Sequence, residues 1–239
     1  METPLPKIPI RESIMVEILK QVPLFSSLQE DELQAIFKFS TTRRCPKETM
    51  ILLEDEDGDT LFIILQGKVK VSNFSESGKE VIFSILSEGD FFGEMSLLDG
   101  KPRSASVTAI EDSELRLIRR SDFLSVLEKH PRIAFKLLEE LTSRLRKADQ
   151  RIESLAILDV TGRIAGILLQ LAEERGVSSD EGIMIQSRPT HQELANMVGT
   201  TRETVTRVLK QLELKKYVTM SGKDICIINP DLFRRDLYL

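Results

Sequence analysis

Cysteine and histidine are scarce in this chain of 239 residues, with two of each. Cys45 and Cys226 lie far apart in sequence, which indicates no disulfide framework and fits a reducing, cytoplasmic setting. With only His130 and His191, and without four clustered cysteines, a histidine-rich metal site and an iron–sulfur cluster are excluded. No apolar run approaches the roughly 20 residues that span a bilayer. The opening Met1-Glu2-Thr3-Pro4 is not a signal-peptide pattern, so no membrane association is expected. There is no Walker loop, no kinase signature and no low-complexity segment.

What is present is an ordinary globular composition, 41% hydrophobic and 30% charged, long enough for one or two domains. The net charge of −5 is unevenly spread. Residues 186–239 carry nine Lys/Arg against six Asp/Glu, whereas residues 1–185 carry 24 against 32. A basic module on an acidic body is the pattern expected when only one end meets DNA.

Residues 11–22 read as a short amphipathic helix, and a second helical segment is expected after Ser27, where Leu28, Leu33 and Ile36 recur. From about Thr42 to Arg119 the texture becomes β: Met50–Leu53, Leu61–Leu65, Lys68–Val71, Val81–Leu86, Ala105–Ala109 and Leu115–Ile118. Gly/Asp/Ser punctuation every 8–12 residues or so predicts a barrel or roll. Inside it stands Phe91-Phe92-Gly93-Glu94-Met95-Ser96-Leu97-Leu98-Asp99-Gly100-Lys101-Pro102-Arg103-Ser104-Ala105. Glu94 offers an anionic acceptor for a ribose hydroxyl, and Arg103 a planar fork of donors for a phosphate. Gly93 and Gly100 permit positive φ and close backbone approach. Such a set can seat a cyclic phosphodiester sugar.

Ser121 is the expected N-cap of a helix over Asp122–Lys129, and Pro131 opens a long helix at its first position. Ala134, Leu138, Leu141, Leu145, Ala148, Ile152 and Leu155 recur at spacings of 4 and 3, a heptad seam with charged flanks that predicts a parallel homodimer. Ser154–Thr161 reads as the hinge, Asp159 as the cap of a helix Val160–Arg175, and residues 176–182 as a loop.

Thr190-His191-Gln192-Glu193 is a capping box. The helix it opens ends at Gly199, and Thr200 or Thr201 caps a second helix over Arg202–Leu212. Val205, Val208, Leu209 and Leu212 form its inner face, leaving Arg202, Glu203, Thr206, Arg207 and Lys210 outside. Arginine can pair with guanine O6 and N7, and glutamate can accept from cytosine N4. Tyr217–Asn229, turning at Ser221-Gly222-Lys223, reads as a β-hairpin wing.

These motifs together, over about residues 20–230, resemble the cyclic-AMP receptor protein branch of the bacterial Crp/Fnr transcription regulators. The cassette around Gly93-Glu94, the segment Leu158-Asp159-Val160-Thr161-Gly162-Arg163-Ile164-Ala165 and the helix Thr201-Arg202-Glu203-Thr204-Val205-Thr206-Arg207 carry the resemblance. It implies an α+β protein. A cyclic-nucleotide-binding, jelly-roll-like β-roll with flanking helices would occupy 1–130, a dimerisation helix and hinge 131–158, and a winged helix-turn-helix 159–239. It implies a ligand-gated regulator, not an enzyme, with cyclic AMP as effector and promoter DNA, a second copy of the chain and RNA polymerase as partners. Gly93, Glu94 and Met95 belong to the implied cassette, with Glu94 on the ribose 2′-hydroxyl and Arg103 and Ser104 on the cyclic phosphate. Arg202, Glu203 and Arg207 would read bases in a TGTGA-N6-TCACA-like palindrome, from a helix that starts at Thr201. Thr190, Gln192 and Lys223 would touch phosphates.

One departure stands out. Ala148 and Asp149 occupy the positions at which that branch presents a threonine–serine pair to the adenine. Ala148 can only pack. Asp149 can accept from adenine's amino group, accept two bonds from guanine N1–H and N2–H, or pair at the surface with Arg146, Lys147 or Arg151. Cyclic GMP or another guanine nucleotide is therefore the alternative effector. A cyclic-nucleotide-regulated enzyme subunit is the alternative from another class, and a regulator that has lost its ligand is a third.

Overall fold

The computed structural model describes residues 19–20, 22–26 and 28–237. Most of the helix expected over residues 11–22 lies outside them, as does Ser27. The chain forms two compact units, divided between Ser143 and Arg144. No helix among the described residues is long and apolar enough to cross a membrane.

In the first unit a single 3-10 turn, Pro23–Phe25, precedes α1 (Glu30–Phe39). Glu32 accepts from the backbone N–H of Gln29 at 2.7 Å, which fixes the start of α1. Two four-stranded antiparallel sheets follow. One has the order β1 (Thr41–Cys45), β8 (Ser113–Arg119), β3 (Thr60–Gln66), β6 (Phe91–Phe92); the other has β2 (Met50–Leu52), β7 (Ser106–Ala109), β4 (Lys68–Phe74), β5 (Glu80–Ser87). The unbroken apolar run of β3 is explained by cover on both faces. Phe62 and Ile64 pack with Ile51, Val69, Val107 and Leu115 between the sheets. Leu61, Ile63 and Leu65 pack with Leu33, Ile36, Phe123 and Ile133 from the helices. Each such side chain contributes about 1.5–3 kcal/mol when fully buried. β1 escaped the sequence pattern because Thr41–Arg44 are exposed, with only Cys45 buried.

A six-residue helix, α2 (Glu94–Asp99), joins β6 to β7. The helix after β8 is α3 (Arg120–Lys129), and its N-cap is Arg119, not Ser121. The entry is fixed instead by the backbone, since Arg120 N–H donates to the Asp59 carbonyl at 2.6 Å. Then α4 (Pro131–Ile157) opens at Pro131 as expected. Ile133 and Leu137 are buried in the core of the first unit, and Leu141 is partly buried against it. Most of the seam is uncovered: Leu138 is 58% exposed, Leu145 62%, Ile152 66% and Leu155 54%.

The second unit is built on α5 (Val160–Arg175), whose Ile164, Ala165, Leu168 and Leu169 are buried. Asp159 accepts from Gly162 N–H at 2.8 Å, the expected cap. Helix α4 runs through Ile157, so the break expected over Ser154–Thr161 shrinks to Leu158 and Asp159. The loop expected at 176–182 is corrected to a hairpin of β9 (Val177–Ser179) and β10 (Gly182–Ile185). The polar run could not show this, because β9 is ordered by pairing with β10, which itself pairs with distant β12 (Asp224–Ile227). With β11 (Val218–Ser221) these strands form one sheet in the order β11-β12-β10-β9. Helix α5 packs on β10, and of the two helices between β10 and β11, α6 (His191–Val198) packs on α5 and on α7 (Arg202–Leu214), which meets β11. A last helix, α8 (Pro230–Leu237), was not foreseen; its Phe233 is buried.

Candidate functional site

The cassette is shaped by its turn. Phe92 stacks on Phe62 with ring centroids 5.0 Å apart, and the chain then passes through Gly93 at φ 84° into α2. A Cβ on Gly93 would lie 2.8 Å from both Arg103 Nη1 and the Thr60 carbonyl oxygen, so only glycine fits. Gly100 closes α2 at φ 71°, and the irregular stretch after it brings the Arg103 side chain back to the Gly93 carbonyl. The Arg103 backbone is clamped by Glu56, whose carbonyl accepts at 2.8 Å, and by Asp55, whose N–H donates at 2.9 Å.

The Arg103 side chain is only 5% exposed. Nη1 donates to the Gly93 carbonyl at 2.8 Å and Nη2 to the Thr60 carbonyl at 3.0 Å. The guanidinium carbon lies 6.0 Å from the Phe62 ring centroid. Nε is buried and has no acceptor among the described residues. Burial pulls this guanidinium below its ordinary pKa, with Asp59 and Glu94 opposing the shift. A buried cation held by two neutral carbonyls, with a donor left over, fits an anionic oxygen. Glu94, equally buried, begins α2. Met95 and Ser104 are exposed and touch, the Ser104 hydroxyl lying 3.4 Å from Met95 Sδ. Gly93, Glu94, Met95, Arg103 and Ser104 are thus brought together. Nothing in the sequence pointed to Gly58, Thr60 and Phe62 as the seat of the arginine, because that role depends on Arg103, which is 43 residues from Thr60 in the chain.

Ala148 and Asp149 are exposed on α4, in the second unit. Of the surface partners considered for Asp149, Lys147 pairs with Glu174 at 2.7 Å and Arg151 donates to the Met197 carbonyl.

In the second unit the capping box is formed, with Glu193 accepting from Thr190 N–H at 2.7 Å and Thr190 Oγ1 accepting from Glu193 N–H at 3.2 Å. Such a cap contributes about 1 kcal/mol. Gly199 turns at φ 71°. Of the two threonines considered, Thr201 is the N-cap of α7, accepting from Thr204 N–H at 3.3 Å. Val205, Val208, Leu209 and Leu212 are buried; Arg202, Glu203, Thr206, Arg207 and Lys210 are exposed. The Glu203 carboxyl is held below its ordinary value by its own backbone N–H and by the Thr201 hydroxyl, so it remains an acceptor. Gln192 is exposed and bonds Asn196 at 2.9 Å. Lys223 is exposed in the β11–β12 turn, and its carbonyl accepts from Arg188 N–H at 2.9 Å, which ties the wing to the start of α6. All seven expected DNA-contacting residues therefore lie in one unit, five of them on or beside two consecutive helices' starts. Arg163 was missed as a connector: it donates to the Val198 carbonyl at the end of α6 and to Leu158 at the break, both at 3.0 Å.

Residues 42–130 match the family described as cyclic nucleotide-binding domain, and residues 162–235 match that described as Crp-like helix-turn-helix domain. The CRP-like cAMP-activated global transcriptional regulator of Mycobacterium tuberculosis is 31% identical over 221 residues, covering 92% of this chain and 99% of the relative. The cyclic AMP receptor protein of Thermus thermophilus is 37% identical over 194 residues, covering 81% and 87%. Among solved structures, the c-di-GMP responsive global regulator CLP of Xanthomonas campestris superposes with a TM-score of 0.71 at 26% identity, covering 84% of this chain and all of that one.

Proposed function

This chain belongs to the Crp/Fnr family of cyclic-nucleotide-binding transcription regulators, and we propose that it is a cytoplasmic homodimer that binds cyclic AMP and then a palindromic TGTGA-N6-TCACA-like DNA site. The observation that carries the effector reading is Arg103, buried on the carbonyls of Gly93 and Thr60 with no acceptor for Nε among the described residues. A cyclic phosphate supplies the missing oxygen and the compensating charge. Glu94 takes the ribose hydroxyl, and Ser104 adds a donor to the phosphate. The uncovered seam of α4 supports the dimer, since an apolar stripe of Leu138, Leu145, Ile152 and Leu155 has a second copy of itself as its natural cover.

In this reading residues 1–130 bind effector, 131–158 pair and hinge, and 159–239 bind DNA. The effector biases a two-state arrangement of the paired helices and of the break at Leu158 and Asp159, and so sets the spacing of the two reader helices. Arg202, Glu203 and Arg207 read base edges, while Thr190, Gln192 and Lys223 hold phosphates. The protein acts on promoters through RNA polymerase and performs no catalysis. A second reading, a guanine effector, is favoured by one observation: the exposed carboxylate of Asp149, which matches the N1–H and N2–H edge of guanine.

Calorimetry of the full chain with cyclic AMP, cyclic GMP and cyclic di-GMP tests this. Saturable cyclic AMP binding, tighter than that of the other two, is expected. Preference for a guanine ligand moves the assignment to the second reading, and no binding by any of the three at millimolar concentration removes the effector reading.

A further inference from the structure

A chain of polar contacts crosses from α6 to the outer face of α7. His191 Nδ1 lies 2.8 Å from Thr206 Oγ1, and His191 Nε2 lies 3.2 Å from Arg188 Nη2. A guanidinium only donates, so Nε2 accepts. The proton of a neutral imidazole is then on Nδ1 and is donated to Thr206. The Thr206 hydroxyl in turn donates to the Arg202 carbonyl at 2.9 Å. Burial, Arg188 and Arg202 all press this histidine towards its neutral form, which is the form the chain of contacts requires.

This network decides what Thr206 can offer to DNA. Its one hydroxyl proton is used within the protein, so it cannot donate to guanine O6 or N7, adenine N7 or thymine O4. The side chain is exposed, between Arg202 one turn before it and Arg207 next to it. With the hydroxyl held between His191 Nδ1–H and the Arg202 carbonyl, the stiff β-branched side chain is fixed, its oxygen keeps one lone pair that can only accept, and its methyl is the apolar group it can offer to the groove. We infer that Thr206 is a specificity-determining residue that reads the C5-methyl of a thymine beside the guanines read by Arg202 and Arg207, and that His191 is the positioning residue that aims it. This rests on the assignment of α7 as the reader helix.

The test uses the full chain with cyclic AMP and a duplex selected from random DNA. Each thymine is replaced in turn by deoxyuridine, which removes only the methyl. Wild type should lose about fourfold in affinity per half-site at one position, the scale of one buried methyl. Thr206→Ser keeps the hydroxyl network and loses the methyl; it should bind the natural duplex with that same deficit and ignore the deoxyuridine. His191→Ala should blunt the wild-type sensitivity, and His191→Asn, whose amide can donate in place of Nδ1–H, should restore it. A wild type that selects a guanine-containing site but is indifferent to every methyl overturns this inference alone, as does a Thr206→Ser variant as sensitive as wild type. A wild type that selects no site overturns the reader-helix assignment with it.

Discussion

Arg103 and Gly93 are joined by a 2.8 Å hydrogen bond from guanidinium to carbonyl, so the cation is fixed to the turn that presents the cassette backbone. Gly58 sits directly behind that cation: a Cβ there would lie 1.9 Å from Arg103 Nε and 2.1 Å from Cζ. Gly58→Ala must therefore push the guanidinium off its two carbonyls. Arg103→Ala should cost about 2–5 kcal/mol of cyclic nucleotide binding, the scale for truncating a buried, hydrogen-bonded charge. Gly58→Ala should reproduce most of that loss with Arg103 still in the chain. Calorimetry on both variants checks this, and a Gly58→Ala protein with wild-type affinity would place the phosphate elsewhere.

Asp149 should set the base preference. Asp149→Ser should raise the ratio of cyclic AMP to cyclic GMP affinity about tenfold, the worth of one charge-assisted hydrogen bond. An unaltered ratio would mean that the carboxylate never meets the base.

Leu145 is exposed in the single chain, so changing it leaves that chain's core intact. Leu145→Lys puts a charge into both strands of a paired seam and should yield folded monomers. Sedimentation velocity distinguishes the outcomes; a variant that remains dimeric would show that the seam is not the contact.

His191 lies below its ordinary pKa of 6.5 through burial first, then Arg188 before α6 and Arg202 on α7. The unfolded chain takes up this proton as pH falls through 6.5, while the folded protein resists. Its stability contribution is therefore intact above pH 6.5 and declines as pH drops below it. Thermal unfolding in mild acid should show wild type losing more than His191→Asn relative to neutral pH. Equal losses would assign the acid sensitivity to other groups.

Much of this was legible in the sequence because the signals were local. The Thr190–Glu193 capping box, Asp159 as a cap, Pro131 at a helix start and the heptad of α4 each act within a turn or two of chain. The cassette was visible as a string, since its glycines and its acid and arginine lie within about ten residues. What could not be read depends on distant pairing. The β9 strand is ordered by β10, and through it by β12. The start of α3 is fixed by the Asp59 carbonyl, which is why Ser121 misled. The Arg103 seat comes from Thr60 and Phe62, and the His191–Thr206 contact spans two helices.

Selection of binding sites from random DNA by the full-length protein, with and without cyclic AMP, tests the central claim most directly. With the nucleotide, a two-fold symmetric motif with TGTGA-like half-sites about 34 Å apart is predicted, because two symmetry-related reader helices enter successive major grooves. Arg202→Ala should relax one guanine in each half-site by about 1–3 kcal/mol, whereas Lys223→Ala should weaken all sequences alike and flatten the salt dependence. A motif without two-fold symmetry, or none at all with the nucleotide present, would contradict the account.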